Sequence, residues 1–184
     1  MALRNAVLAA LIDRESSGYD LAKRFRVSVA NFWTATPQQL YRELDRMESE
    51  GLLAARLVKQ DRRPDKRIFS VTEAGRAALL DFTRQEPKPT TVRDELLVQV
   101  EALAWADPAS VRSSIEARIE QSRRRLTAYE QMVVEILGSR SHAEFLATGN
   151  RIGPYLTLQR GISFERENIT WGELALQVLQ SRSM

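Results

Sequence analysis

The stretch from Thr36 to Gly51 constrains the fold most, because it carries both the start and the stop signals of a helix. A threonine can cap a helix by accepting a hydrogen bond from a first-turn N–H, and Pro37 is tolerated at the first helical position. Gly51 stands where a helix needs a left-handed terminating residue. An apolar stripe at helical spacing follows from Leu40, Leu44 and Met47. The sequence therefore predicts an amphipathic helix.

The outer face of this helix is unusual, because polar side chains that can recognise DNA crowd its first two turns. These residues are Gln38, Gln39, Tyr41 and Arg42. Such side chains can hydrogen-bond base edges or phosphates. They also suit an ordinary surface helix, and Tyr41 can equally anchor the helix at the edge of a core. The rest of the chain has to decide between the two interpretations.

The composition argues against several classes of function. The chain has 184 residues, 43% hydrophobic and 28% charged, which fits one or two globular domains rather than disorder. It contains no cysteine and one histidine, His142, so we expect neither a transition-metal site nor a Ser-His-acid triad. A glycine-rich phosphate loop is also missing. We therefore expect no enzyme, no cofactor and no metal.

The distribution of charge and the hydropathy of the chain predict its class of binding partner and its cellular compartment. Residues 1–84 hold 15 Lys+Arg and 11 Asp+Glu, a net charge of +4, whereas residues 85–184 hold 12 and 13, a net charge of −1. This asymmetry is compatible with a polyanionic partner in the first half. No run approaches the roughly 18 apolar residues of a membrane span, and we expect a cytoplasmic protein.

Further helices are predicted on both sides of the central one. Residues 3–12 and about 17–27 read as two helices, joined by a turn or helix entry at Ser16–Tyr19. After the central helix, Thr72 is predicted to cap a helix that ends near Arg84. Its apolar positions include Ala77, Leu80 and Phe82.

A charged hairpin is predicted between these helices. Residues 53–59 and 67–71 have the composition of two short strands, and the Pro- and Asp-containing segment 60–66 forms the turn. Charge at a hairpin tip can simply blunt an exposed strand edge. It can also lie along a phosphate backbone.

The second half is predicted to be entirely helical. Pro87 and Pro89 mark a boundary that no helix can cross. Helices are then predicted over 91–105, over 108–138, and over 141–181 with an interruption near Gly153–Pro154. The helix over 108–138 spans on the order of 45 Å, so its apolar stripe packs on another chain or folds back on a partner helix.

Three helices, a basic-tipped hairpin and a fourth helix together define a winged helix-turn-helix. In that fold the third helix enters the major groove and the wing contacts phosphates. The predicted class is mainly α (α+β): a winged helix-turn-helix DNA-binding domain at 1–84, a linker at 85–90 and a helical dimerisation domain at 91–184. A dimer would read two half-sites.

Specific residues carry a resemblance to the PadR family of bacterial transcription regulators, which covers residues 1–84. The matching positions are Gly18-Tyr19-Asp20-Leu21, Pro37, Leu40-Tyr41, Leu44, Arg46-Met47-Glu48, Gly51-Leu52 and Thr72-Glu73-Ala74-Gly75. The second half resembles, more loosely, the longer-tailed subgroup related to virulence activators, through Gly161, Glu165 and Trp171.

This resemblance implies a homodimeric repressor, less often an activator, that binds a palindromic operator on double-stranded DNA and is released by a small-molecule effector. The recognition-helix positions of the family fall on Thr36, Gln38, Gln39, Tyr41 and Arg42, and the wing positions on Arg62, Arg63, Lys66 and Arg67. Many members carry a Gly-Arg-Pro run at the wing. Here Asp61 and Asp65 flank the basic residues and weaken the local positive field.

Two questions stay open at the level of sequence. The tryptophans, including Trp33 and Trp105, suit a core or a dimer interface, or else a platform on which a ligand stacks. Trp105 is the first candidate if an effector pocket exists between the domains. The alternative function is a helical interaction module whose winged helix binds protein rather than DNA, because the net charge is weak and helical surface dominates.

Overall fold

The computed structural model describes residues 2–25, 33, 35–59, 65–149 and 152–181. It divides into two compact units, Met1–Pro89 and Thr90–Met184. The first unit contains α1 (Ala2–Leu11), β1 (Ser16–Ser17), α2 (Gly18–Arg24), α3 (Pro37–Ser49), β2 (Leu53–Val58), β3 (Lys66–Val71) and α4 (Glu73–Thr83). The second contains α5 (Glu95–Glu101), α6 (Pro108–Leu137), α7 (His142–Thr148) and α8 (Ile152–Ser181).

The sheet of the first unit has the strand order β1-β3-β2, with antiparallel pairing throughout. The hairpin pairs Leu53 with Val71 at one end and Val58 with Lys66 at the other. Both predicted strands are therefore confirmed. The strand β1 was not predicted, since Ser16 and Ser17 read locally as a turn. They join the sheet by pairing with β3, about fifty residues later in the chain.

The core of the first unit is formed by apolar side chains from all three of its first helices and from the sheet. They are Val7, Leu8, Leu11, Leu21, Phe25, Leu40, Leu44, Met47, Leu53 and Phe69. Trp33 is half-buried and packs against this core. With its central helix α3 and the β2–β3 hairpin, the unit is the predicted winged helix-turn-helix.

Helix α4 faces the core differently from the prediction. Gly75 is buried so tightly that a Cβ there would lie 2.2 Å from the carbonyl oxygen of Leu52. This contact sets the rotation of the helix, so that Ala78 and Leu79, one turn later, pack inward. The expected apolar positions Ala77, Leu80 and Phe82 are exposed instead.

The second unit is built on two helices of 30 residues each, α6 and α8. They run antiparallel, because Ile119 lies against Gly172 whereas the later Glu130 pairs with the earlier Arg166. The buried stripe of α6 consists of Val111, Ile115, Ile119, Ser122, Tyr129, Val133 and Leu137. Of the two possibilities offered by the sequence, the stripe therefore folds back on a partner helix of the same chain.

Two helix boundaries in this unit differ from the prediction. The first helix is shorter than 91–105, because Asp94 caps it and α5 occupies only Glu95–Glu101. The expected break near Gly153–Pro154 lies earlier: α7 ends at Thr148, and α8 carries both residues in its first turn. A proline in the first turn loses no helical hydrogen bond, so it starts a helix here rather than interrupting one.

The described residues were compared with the requirements for a membrane span and for a metal site. None of the described helices is both long and apolar enough to pass through a bilayer. Among the same residues, no cluster of three or more His, Cys, Asp or Glu side chains is arranged to hold a metal ion.

Candidate nucleic-acid interface

The start of α3 is closed by a reciprocal pair of hydrogen bonds. The Gln39 N–H donates to Thr36 Oγ1 at 3.2 Å, and the Thr36 N–H donates to Gln39 Oε1 at 2.9 Å. This capping box satisfies two backbone donors that a helix otherwise leaves unpaired. It also occupies the Gln39 carbonyl oxygen, so the side chain keeps its NH₂ group for a ligand. In a bidentate contact of Gln39 to adenine, the same oxygen would have to accept two hydrogen bonds.

Gln38 and Arg42 stand one turn apart on the exposed face of α3. Neither side chain has a hydrogen bond or an ion pair with any residue that the structure describes. Their donors and acceptors are therefore available to an external partner. Of the polar residues predicted on this face, these two are the least committed within the protein.

Tyr41 packs on the beginning of α2. A Cβ at Gly18 would lie 2.5 Å from Tyr41 Cε1, so the ring rests directly on the glycine. Tyr41 is nevertheless 43% exposed. The ring therefore anchors α3 against α2, as one of the two interpretations of the sequence required, and still contributes to the outer surface.

The two described basic residues of the wing have partners inside the protein. Lys66 Nζ lies 2.8 Å from Asp20 Oδ2, and this hydrogen bond is the main reason that the pKa of Asp20 is lowered. Arg67 Nη1 donates to Asp45 Oδ1 at 2.9 Å, and the guanidinium also contacts Glu48. The hydrogen bond to Asp45 raises the pKa of Arg67. Both cations thus tie the hairpin to the helices.

Two further cations were predicted to contribute wing contacts. Arg62 and Arg63 lie outside the described residues, as does Asp61. Asp65, the second acid that flanks the turn, is exposed. The predicted contribution of the wing tip to DNA binding remains a prediction.

Sequence reasoning missed the cations that pair with the acids of the second half of α3. Arg4 of α1 approaches Glu43 at 3.5 Å and Glu50 at 2.5 Å, and Arg67 covers Asp45 and Glu48. All four acids are therefore paired, and the two guanidinium groups offset part of their negative charge. No local pattern could have revealed Arg4, because its partners lie about forty residues away.

The tryptophans occupy three different environments. Trp33 packs on the core of the first unit, and Trp171 packs on the α5–α6–α8 cluster of the second. Trp105 lies after α5 and is 94% exposed. It therefore belongs to the surface of the second unit and not to its core.

A capped helix with uncommitted polar side chains, followed by a hairpin wing, defines a winged helix-turn-helix of the kind found in transcription regulators. The sequence matches the transcriptional regulator PadR-like family over residues 7–81 and the virulence activator alpha C-terminal family over residues 92–180. The chain belongs to the PadR-like family of transcriptional regulators.

Relatives match along almost the whole chain. The probable transcriptional regulator Rv1176c of Mycobacterium tuberculosis is 31% identical, covering 99% of this chain and 100% of its own. The negative transcriptional regulator PadR of Bacillus subtilis is 25% identical, covering 96% and 97%.

Solved structures show the same fold. The Vibrio cholerae virulence activator AphA matches with a TM-score of 0.73 and 28% identity, covering 98% of this chain and 99% of its own. Bacillus subtilis PadR in complex with operator DNA matches with a TM-score of 0.77 and 24% identity, covering 97% and 99%. A structure of the same Bacillus protein with p-coumaric acid has a TM-score of 0.71 and 24% identity, covering 97% and 95%.

Proposed function

We propose that this protein is a homodimeric, sequence-specific DNA-binding repressor whose DNA binding responds to a small molecule. The observation that carries the proposal is the exposed first half of α3 in a chain of this family. Gln38 and Arg42 have no partners among the described residues, while the acids of the second half are paired. The helix therefore offers DNA a polar and net basic end.

We assign direct base contacts to Arg42 and Gln38. Arginine can make a bidentate contact to guanine, and glutamine can do so to adenine. Gln39 contributes the donors of its NH₂ group while its oxygen holds Thr36 in the capping box. Tyr41 adds its exposed ring edge, and the Thr36 hydroxyl lies at the same end of the helix.

We assign phosphate contacts at the wing to Arg62 and Arg63, and a different role to the two cations beside them. Lys66 and Arg67 would have to leave their carboxylate partners to reach a phosphate. They are better suited to orient the hairpin relative to α2 and α3. The wing would then be positioned by intramolecular pairs and would meet DNA through its tip.

We infer that the second unit forms the dimer. The stripe of α6 is covered by α8, so association has to use other surfaces. The second unit exposes a set of large apolar side chains that includes Val98, Trp105, Leu174 and Val178. Where such side chains lie together, they form an interaction surface. Sedimentation of the full chain should give twice the monomer mass.

The direction of regulation is part of the proposal. The Bacillus relative is named a negative regulator, and the Vibrio neighbour is named an activator. The Bacillus protein has also been crystallised with operator DNA and with p-coumaric acid. Repression, and release by an effector, are the assignments that we carry to this chain.

Fluorescence anisotropy with DNA from the region upstream of its own gene tests the central claim. We expect tight binding to a two-fold symmetric segment and much weaker binding to shuffled DNA at the same salt concentration. Equal affinity for both DNAs would contradict it. If the chain binds both DNAs equally and forms a stable complex with another protein, the alternative of a protein-binding winged helix would be supported. The pairing of Lys66 and Arg67 within the protein favours that alternative.

A further inference from the structure

A polar surface cavity of about 360 Å³, more open than enclosed, lies on the second unit between the residues that precede α5, the middle of α6 and α8. Three of its lining residues are arginines, two carry amides and one is aromatic. They are Arg93, Arg118, Arg125, Gln121, Asn168 and Phe164. The cavity lies entirely within one compact unit. Its lining is rich in N–H donors, which suit an anionic or strongly polar ligand.

One of the three guanidinium groups is already committed. Arg118 Nη1 and Nη2 donate to the two carboxylate oxygens of Asp94 at 2.7 and 2.9 Å. Both side chains are about three-quarters buried. This bidentate pair fixes one wall of the cavity and adds no net charge to it.

The other two guanidinium groups keep donors for a ligand. Arg93 is exposed and has no ion pair with any described residue. Arg125 is half-exposed, and its only described polar contact is the one that Nη1 makes with Glu165 Oε1 at the long distance of 3.5 Å. Its Nε and Nη2 groups have no partner in the described part of the chain. Because Glu165 is 2% exposed, it holds Arg125 from the protein side.

The remaining lining selects among anions. Asp94 is already paired with Arg118 and Glu95 also lines the cavity, so a second negative charge on the ligand would meet Glu95 rather than a further free cation. Phe164 is 47% exposed and offers an apolar surface, flanked by the Arg160 guanidinium at 5.8 Å from the ring centroid. A singly charged ligand with an apolar body fits this combination better than phosphate does.

We propose that this cavity binds a small organic monocarboxylate, whose carboxylate pairs with Arg93 and Arg125 and whose body lies against Phe164. The arginine fork matches carboxylate geometry, and the pairing is a charge-assisted hydrogen bond. The proposal that a monocarboxylate binds here depends only on these contacts. The claim that such a ligand is the effector rests on the proposed function.

The test titrates the full-length protein, without DNA, with benzoate as the probe, and follows the side-chain amides of Gln121 and Asn168 by NMR. We expect saturable shifts of both amides, and affinities for the neutral isostere benzamide and for inorganic phosphate that are about tenfold weaker or worse. Arg93→Gln and Arg125→Met should each weaken benzoate binding by about tenfold. Arg124→Met is the matched control, because Arg124 pairs with Glu120 outside the cavity.

Absence of saturable binding, equal affinity for benzoate and benzamide, or wild-type affinity in both cavity variants would overturn the proposal. Arg125→Met also removes one of the two described partners of Glu165, the other being Asn168, so its thermal melt is recorded. Arg93 is exposed and lies outside the helices, which makes Arg93→Gln decisive even if Arg125→Met unfolds. Anisotropy with DNA is measured separately: benzoate binding by a protein that does not bind DNA would overturn the regulatory function and leave the site intact.

Discussion

The ring of Tyr41 rests on the α-carbon of Gly18, leaving no room for a Cβ: one built there would lie 2.5 Å from Cε1. The contact joins the first turn of α2 to the outer face of α3. Gly18 is needed for space, since the backbone there is ordinary helix. One aromatic ring thus sets the spacing of two helices and still exposes 43% of its surface.

Gly18→Ala should destabilise the protein by about 1–3 kcal/mol, because the added methyl group forces the Tyr41 ring outward. In a Tyr41→Ala background the same change should be neutral or stabilising, since alanine is the better helix former. Urea unfolding of the four proteins measures the coupling. Additive effects of the two substitutions would show that the ring moves away without cost.

The capping box separates stability from DNA recognition at Gln39. Gln39→Glu keeps an acceptor for the Thr36 N–H, so thermal stability should stay near that of the wild type. It removes the NH₂ donor, so specific DNA binding should fall. Thr36→Ala should cost about 1 kcal/mol of stability, and Thr36→Ser should restore it. Undiminished operator affinity in Gln39→Glu would assign Gln39 a capping role alone.

Arg42→Ala should cost about 1–3 kcal/mol of binding free energy on the operator and little on random DNA, if the side chain reads a base. The control is Arg46→Ala, one turn further along α3, where the guanidinium pairs with Glu50 at 2.8 Å. Arg46→Ala should leave discrimination intact. Equal losses of Arg42→Ala on both DNAs would make Arg42 a phosphate contact instead.

Arg67 is expected to act by holding α3 and the hairpin together, through Asp45 and the Phe69 ring, whose centroid is 5.1 Å away. Arg67→Met should weaken operator binding and leave the dependence of log Kobs on log salt unchanged. Asp45→Asn should add little further loss in that variant. A phosphate contact would instead lower the salt slope by about 0.9.

The Arg118–Asp94 pair makes a pH-dependent contribution to stability. The hydrogen bond from Arg118 lowers the pKa of Asp94 below its ordinary 3.8 in the folded protein. Its stabilisation is therefore complete above that value and is lost as pH falls through the lower, folded-state pKa. Asp94→Asn, which keeps the cap, should cost about 1 kcal/mol at pH 7. Denaturant titrations should show this difference shrinking below about pH 4, and a constant difference down to pH 2 would contradict the assignment.

The parts of the fold that could be predicted are those with local signals. Thr36 and Pro37 mark the start of α3, and Gly51 marks its end with a φ of 74°, because caps and left-handed residues are chosen within one turn of chain. Asp107 and Gly138 bound α6 for the same reason. The strands of the hairpin followed from their composition and from the charged turn.

The parts that could not be predicted depend on distant contacts. The strand β1 exists only because Ser16 and Ser17 meet Phe69 and Ile68. The inward face of α4 is set by the contact of Gly75 with Leu52. Such pairings leave no periodic trace in the sequence, so local reasoning placed a turn at β1 and turned α4 the wrong way.

The candidate site shows the same division. The sequence identified the exposed residues of α3, because they follow from helical spacing. It could not show that Lys66 and Arg67 are bound to Asp20 and Asp45.

The covering of α6 by α8 separates folding from association. Since the apolar stripe of α6 is buried within one chain, the second unit can complete its core before it meets another copy. Under the proposed function, a dimer would then form from folded monomers, and the ratio of monomer to dimer would follow mass action. Under the proposed function, operator occupancy would rise with roughly the square of protein concentration at low abundance, which gives the cell a sharp threshold.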